Sequence, residues 1–553
     1  MNRNLTALTN QVFDVLVVGG GIYGACVAWE ASLRGLSVAL VEQADFGGAT
    51  SANSLKTIHG GFRYLQNADF KRMRESIYER RTLMRIAPHL IHPLPVMVPT
   101  YGYGMKGKEA LTIALAINDL VSWDRNRLAD TQKHIPRGRV VSRERCQTLL
   151  PEIRSTGLTG GAIFYDAQVY NSERLTLAFL KSACRAGAQV ANYVQVTGFL
   201  RQGDRVCGVQ VQDRLGSTQT SDRFDIQARM VINTTGPWFN NIQELLHGRP
   251  LKAPQQWAKA VNLVTTRPLF QTYAVGLPGS SEIGSRFLFV APWRGCSIVG
   301  TWYKVYQDRP EQLQVTEVET LEFLQQINQA YPGAKLKRDE VAWVHQGILP
   351  SYGVDPKTGE PLSSRHYQIH DHRQDGVAGV LSVLGVKYTT ARDVAQKVVD
   401  QVFQIWGKRS PESTSARTKV DGGEIEDFIA FLQQAIHRES LPAEITRRLV
   451  YNYGSAYSQV LSCLQDSGPN SLPDHLAVAQ AETCYAVQQE MAQTLGDVIF
   501  RRTEWGSGGY PGDDVLQLCA TTMGQELGWT SAQLEREIQT VHQRYTVAVP
   551  QIS

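Results

Sequence analysis

The chain has 553 residues, 42% apolar and 20% charged, a globular composition too long for one simple core and suited to about two or three domains. A formal net charge of +4 with no run of Lys/Arg argues against a nucleic-acid partner and leaves room only for weak attraction to anionic lipid. Its eight cysteines are scattered without C-x-x-C or metal spacing, so free thiols in a reducing compartment and no metal site are expected. Met1 to Gln11 is polar without a signal-peptide core, and no stretch approaches a spanning length, so the expected location is cytoplasmic, free or peripheral on the inner face of a membrane.

The first element is an apolar strand, Phe13 to Val18, that runs directly into the G-x-G-x-x-G of Gly19, Gly21 and Gly24. Gly19 permits the tight turn, Gly21 a close backbone approach to a pyrophosphate, and Gly24 close helix–strand packing. The helix that follows presents free N–H groups and a positive dipole end to an anion. A second apolar strand, Val38 to Val41, ends at Glu42, about twenty residues on, the spacing of a carboxylate that binds a ribose hydroxyl. This βαβ unit predicts a dinucleotide site. It does not separate FAD from NAD, and the carboxylate disfavours the extra phosphate of NADP.

Residues 43 to 66 are rich in Gly, Ser, Thr and Asn, and a helix is predicted from Asp69 to Ile86. Pro88, Pro93, Pro95 and Pro99 then read as breaks, followed by a helix over 109–123. Gly161 to Ala167 reads as a strand and turn, and Ser172 as the N-cap of a helix to Ala186. Short strands follow at Gln189–Tyr193, Val206–Asp213 and Met230–Asn233, the last entering the small-residue turn Thr234-Thr235-Gly236-Pro237-Trp238. Residues 257–305 are strand-rich, 316–331 helical, and Val380 to Gly385 a buried strand before Thr389-Thr390 and a helix to Trp406. A polar linker, 408–423, leads to a mostly helical region, 424–545, with breaks at Gly468-Pro469 and Gly506 to Gly512.

Five passages, Val17 to Gly24, Ala49 to Leu65, Ala87 to Leu90, Asn233 to Trp238 and Leu384 to Arg392, together with Asp497 to Thr503 and Glu526 to Trp529 in the tail, carry a family likeness. The first five resemble the flavin-dependent glycerol-3-phosphate dehydrogenases, within the D-amino-acid-oxidase-like flavoproteins, and the tail passages resemble that family's helical domain. The resemblance implies an α/β fold: a glutathione-reductase-like FAD-binding domain (12–95, 155–250 and 370–407), a β-rich substrate domain (96–154 and 251–369), and a C-terminal all-helical domain (424–553). It implies FAD, held at the ADP end by Gly19, Gly21, Ile22, Tyr23, Gly24, Glu42, Gln43 and Val194. Further along, the implied contacts are Thr50, Ser51, Ser54 and Lys56, then His59, Gly60 and Gly61, then Thr235 and Gly236, and last Gly385, Lys387, Tyr388 and Thr389.

The implied reaction is oxidation of a secondary alcohol by hydride transfer to flavin N5, with glycerol 3-phosphate becoming dihydroxyacetone phosphate. The implied catalytic residues are Lys387, Arg63, Tyr64, His59 and Arg365. Lys387 follows a buried strand and precedes a helix start, and would place positive charge near the flavin. Arg63 offers a bidentate fork for an anion. The electron acceptor is left open, with quinone and oxygen as the candidates, and a homodimer and peripheral membrane contact are compatible partners.

Departures from the family pattern cluster on the substrate side. Leu349, in Gly347-Ile348-Leu349-Pro350, replaces an arginine, and Asn262 replaces a histidine that could exchange a proton. Val386 replaces a glycine, and Trp302 and Tyr303 bring aromatics that suggest a stacking wall. His345 and Arg365 are candidates to compensate. Two other readings therefore stay open: an FAD-dependent oxidase or dehydrogenase of another alcohol, amino acid or amino sugar, and a catalytically silent flavin-binding partner protein.

Overall fold

The computed structural model describes residues 1–104, 107–216, 223–249, 255–278, 287–364, 366–464 and 472–548. Two sheets organise the first three quarters of the chain. In the first, Val12–Val18 pairs in parallel with Val38–Val41 on one side and with Arg223–Asn233 on the other. Val380–Leu384 and Gln189–Ala191 extend the parallel run, and Gln368–Asp371 closes one edge antiparallel. Val38 to Val41 are all buried, as a parallel strand covered on both faces requires. Helices Ile22–Leu33, Ser172–Arg185 and Ala391–Ile405 cover one face through Trp29, Phe179 and Val398. The hairpin Val194–Gln202 and Arg205–Asp213 covers the other through Val196 and Val209.

The second sheet is mostly antiparallel and has ten strands among the described residues. Its centre is Gln256–Thr265 between Cys296–Tyr306 and Val341–Val354. Helix Glu317–Ala330 packs Phe323, Leu324 and Ile327 beneath it. Pro93, Pro95 and Pro99 do not break the chain: they lie inside strand Ile91–Tyr101, paired with Leu158–Val169. Their even spacing turns all three missing N–H groups to one edge, so only one ladder loses donors. A second correction is the cap of Ser172–Arg185, which is Asn171; its Oδ1 accepts from the N–H of Glu173 and Arg174.

The last quarter is helical, as its pattern predicts: Phe428–Arg438, Ala443–Tyr453, Asp474–Glu490, Asp513–Leu527 and Ser531–Ala548. A π-helical turn, Val498–Arg502, faces the rest of the molecule. Buried charges join it there. Asp45 accepts from Arg502 Nη1 and Nη2 at 2.6 and 2.7 Å, and from Arg501 Nε. Glu490 accepts from Arg174 at 2.5 and 2.8 Å and from Lys181 at 3.1 Å. Such pairs cost desolvation to bury, but leaving one partner alone costs more.

Burial alone would raise the Glu490 carboxyl; the charges of Arg174 and Lys181 outweigh it and hold the group at about 2. A carboxyl depressed in the folded state stabilises above its unfolded value and loses that contribution as pH falls toward the folded one. Glu490→Gln is therefore expected to lose a few kcal/mol, on the order of 3, at neutral pH. Its urea midpoint should also show less fall between pH 4.5 and 2 than that of the unsubstituted protein. Parallel pH profiles for the two proteins would remove Glu490 as a domain clamp.

Candidate functional site

A cavity of about 1730 Å³ opens between the two sheets. Its floor is the glycine turn. Gly19 has φ of +104°, and its N–H donates to Val41 O at 2.8 Å. A Cβ on Gly24 would fall 1.8 Å from Gly19 O, so helix Ile22–Leu33 meets the strand end as closely as the spacing predicts. Gly21 is the helix N-cap and brings no capping side chain, leaving the helix entrance open to an anion. Ser51 Oγ accepts the Ile22 N–H at 3.0 Å. The Glu42 carboxylate accepts from the N–H of Gly20 at 2.7 Å and Ala44 at 3.0 Å, which fixes it at the rim beside Gln43 and Val194. Burial pushes its carboxyl up, against the pull of those amides.

Two segments form the side walls. In the loop after Glu42, Thr50 Oγ1 donates to Ile348 O at 3.0 Å and accepts from Ile348 N at 3.1 Å, fastening the loop to the second sheet. Thr50, Ser51 and Ser54 line the cavity; Lys56 does not. Lys56 is fully buried, and its Nζ reaches Glu173 at 2.9 Å, Ser172 Oγ at 2.8 Å and Ala52 O at 2.6 Å. The opposite wall is Gly385 to Thr389. A Cβ on Gly385 would lie 2.1 Å from the Tyr23 ring. The Tyr23 hydroxyl donates to Lys387 O at 2.7 Å and accepts from the N–H of Val386 and Lys387 at 3.2 Å. Burial pushes this phenol up to about 12, so it stays protonated. Thr235 and Gly236 complete this side.

Between the walls lies a cluster of polar groups. His59 lines the cavity, its N–H donates to Thr389 Oγ1 at 3.2 Å, and its Nδ1 stands 3.5 Å from Asp166 Oδ2. Asp166 also accepts from Gly60 N and from Arg80 Nη1 at 3.0 Å. Burial raises this carboxyl, but the hydrogen bond and charge of His59 and the charge of Arg80 lower it further, so it stays ionised. Gly60 and Gly61 lie beneath: a Cβ on Gly60 would meet Arg80 Nη1 at 2.1 Å. Lys387 lines the cavity, with Nζ 4.2 Å from the centroid of the buried Tyr64 ring. Arg63 sits in the 3₁₀ turn Phe62–Asn67, and its side chain, like all of Arg365, lies outside the described residues.

On the second sheet, Asn262, Tyr303 and Leu349 face the cavity. Asn262 Oδ1 accepts from Thr301 Oγ1 at 2.8 Å, and its amide donates to Asn53 O at 3.3 Å. Trp302 does not join a stacking wall; it turns under the sheet and stacks on Phe323 at 5.7 Å. His345 is buried, with Nδ1 3.2 Å from Asn53 Oδ1, and is not among the lining residues. Sequence reasoning missed Asp166, Arg80 and the contribution of the helical domain, from which Thr494, Arg501, Thr540, Gln543 and Arg544 close one side. No local pattern signals these, because each is brought from a distant segment.

The glycine cradle, open helix end and cavity of about 1730 Å³ suit a dinucleotide. Comparisons with known proteins agree. A family model described as FAD dependent oxidoreductase matches residues 14–392, and one described as the C-terminal domain of alpha-glycerophosphate oxidase matches 413–534. A Synechocystis protein named glycerol-3-phosphate dehydrogenase is 30% identical over 98% of both chains. Glycerol-3-phosphate dehydrogenase 2 of Mycobacterium bovis is 31% identical over 96% of this chain and 88% of its own. The solved structure of the glycerol-3-phosphate dehydrogenase from Bacillus halodurans complexed with FAD superposes with a TM-score of 0.77 at 26% identity, covering 99% of this chain and 98% of that one.

Gly24→Ala and Gly385→Ala should each yield protein with little bound flavin, read as the ratio of 450 to 280 nm absorbance after gel filtration. Full flavin content in both would mean that the close approaches at these glycines do not shape the cavity.

Proposed function

The chain belongs to the FAD-dependent glycerol-3-phosphate dehydrogenase family, and on that premise we propose that it oxidises the secondary alcohol of glycerol 3-phosphate to the ketone of dihydroxyacetone phosphate. The observation that carries this reading is the grouping of Lys387, Tyr64, His59 and Asp166 where the Gly385–Thr389 wall meets the cavity. Bound FAD supplies the hydride acceptor. Removal of a hydride from carbon must be matched by removal of the hydroxyl proton. Asp166, beside His59 Nδ1, favours the tautomer that leaves Nε2 as the basic atom for that proton. The Lys387 ammonium and the N-terminus of helix Ala391–Ile405 place positive charge where electron density arrives. Arg63 is the proposed ligand of the substrate phosphate.

A second reading is favoured by Leu349 and Asn262. Both line the cavity, and neither can pair with an anion or exchange a proton near neutral pH. On this reading the substrate is a larger or less anionic alcohol. Anaerobic mixing of the holo-protein with glycerol 3-phosphate is expected to bleach the flavin. Lys387→Ala should keep FAD and slow that bleaching by about 100-fold or more. Leu349→Arg should lower the substrate concentration for half-maximal rate by about tenfold. Bleaching by an uncharged polyol but not by glycerol 3-phosphate would overturn the first reading in favour of the second; an unchanged rate in Lys387→Ala would take that lysine out of the chemistry.

We also propose that the protein docks on a membrane surface, where a quinone could collect its electrons. Among the described residues no helix is long and apolar enough to cross a membrane. Helix Lys108–Val121 and the turn after it nevertheless expose Ile113, Leu120 and Trp123 at helical spacing, with Arg127 stacked 4.2 Å from the Trp123 ring. An exposed apolar stripe with an arginine beside it suits an anionic lipid surface. The protein should float with vesicles containing phosphatidylglycerol, and Leu120→Asp combined with Trp123→Ser should stay at the bottom of the gradient with its flavin intact. Equal flotation of both proteins would place the docking face elsewhere.

A further inference from the structure

The first sheet carries a cluster of histidines at its edge that the proposed reaction does not use. His370 ends strand Gln368–Asp371 one residue before its last, and His372 opens the turn that contains Asp375. The i, i+2 spacing brings both imidazoles to one face. Helix Phe239–His247 ends there with His247, and Gly248, at φ of +64°, turns the chain away.

We propose that His247, His372 and Asp375 form a site for a divalent transition-metal ion of the Zn²⁺ class, with His370 beside it as a hydrogen-bond partner of Asp375. One ligand atom from each of His247, His372 and Asp375 lies within 4.8 Å of the others. Asp375 Oδ2 stands 2.5 Å from His370 Nε2 and 3.0 Å from His372 Nδ1, so a single carboxylate oxygen is shared between two imidazoles. The His247 ring centroid is 5.8 Å from that of His372. An ion with bonds of about 2.0 Å would hold these ligands roughly 3.3 Å apart, a spread of under 1 Å at the Asp375 contacts. Asp375 and His370 each retain 37% side-chain exposure, which gives them room to open and gives an ion an entry path.

The surroundings are those of a held ligand. His372 is fully buried, and its Nε2 is fixed by Ser382 Oγ at 2.9 Å and Gln243 Nε2 at 3.1 Å. A ring bound through Nδ1 carries its proton on Nε2, where Ser382 Oγ is placed to accept it and so fix the ring's orientation. Two imidazole nitrogens and one carboxylate, with a fourth position open, suit Zn²⁺, Ni²⁺ or Cu²⁺, whereas Mg²⁺ and Ca²⁺ select oxygen. Ser382 Oγ also accepts from Asn233 Nδ2 at 3.2 Å, and Asn233 Oδ1 accepts from Thr235 N and Oγ1 at 3.1 and 2.7 Å. Thr235 lines the large cavity, so the ion would brace the support of the cofactor turn without touching it.

The test uses untagged holo-protein, treated with EDTA and desalted with its flavin retained. Calorimetric titration with Zn²⁺ is expected to show one site per chain, and titration with Mg²⁺ none. His247→Ala and Asp375→Asn should each weaken Zn²⁺ binding at least about tenfold while keeping flavin absorbance. Zn²⁺ should also raise the Tm of the unsubstituted protein and not that of His247→Ala. X-ray absorption of the Zn²⁺-loaded, unsubstituted protein should show a nitrogen and oxygen shell with at least two imidazoles, and decides alone if either variant fails to fold. Absence of stoichiometric uptake, uptake unchanged in both variants, or sulfur in the first shell would each overturn the proposal.

Discussion

The loop that follows Glu42 is held by buried charge at both ends, and the rest of the molecule is arranged around it. Asp45 is bound by Arg501 and Arg502 of the helical domain, and Lys56 by Glu173 of helix Ser172–Arg185. Between them, Thr50 and Asn53 join Ile348 and Asn262 of the second sheet. One stretch of small polar residues thus meets every other layer. A charge buried at each end makes the arrangement close to all-or-none, because partial release would strand an ion in a nonpolar interior.

That geometry explains a division within the cavity. The turn at Gly19 to Gly24 and the wall at Gly385 to Thr389 are set by backbone approaches that a single Cβ would block. The second sheet contributes side chains from strands that could change without moving the backbone. Leu349, Asn262 and Tyr303 are such positions. The glycine end of the cavity is therefore fixed by its backbone, while the end lined by the second sheet is open to side-chain variation.

Much of the first end was legible because its information is local. Strand, turn, helix and acid follow one another within residues 12–42, and each step has its own physical signature. The helix over Phe70–Ile86 and the helical tail were also readable from periodicity and caps. The misreadings have particular causes. Pro93, Pro95 and Pro99 resemble breakers until their common parity is matched to a strand with one ladder to spare. Trp302 and Tyr303 are adjacent, and only a register shift at Val261/Asn262 settles which of them faces the cavity. Lys56 sits in a polar loop, but its partner is 117 positions away. Asp166 and Arg80 behind His59 have the same origin: pairings that depend on tertiary distance leave no mark on sequence spacing.

The helical domain's share in the cavity bears on how the molecule is made. Arg501 and Arg544 help to wall a space whose floor is the glycine turn near the start of the chain. A ribosome releases that turn several hundred residues before Arg501 and Arg544. The pocket cannot be sealed before those later segments emerge, however well the first sheet has folded. During that interval the glycine turn faces solvent on the side that Thr494, Arg501, Thr540, Gln543 and Arg544 later cover.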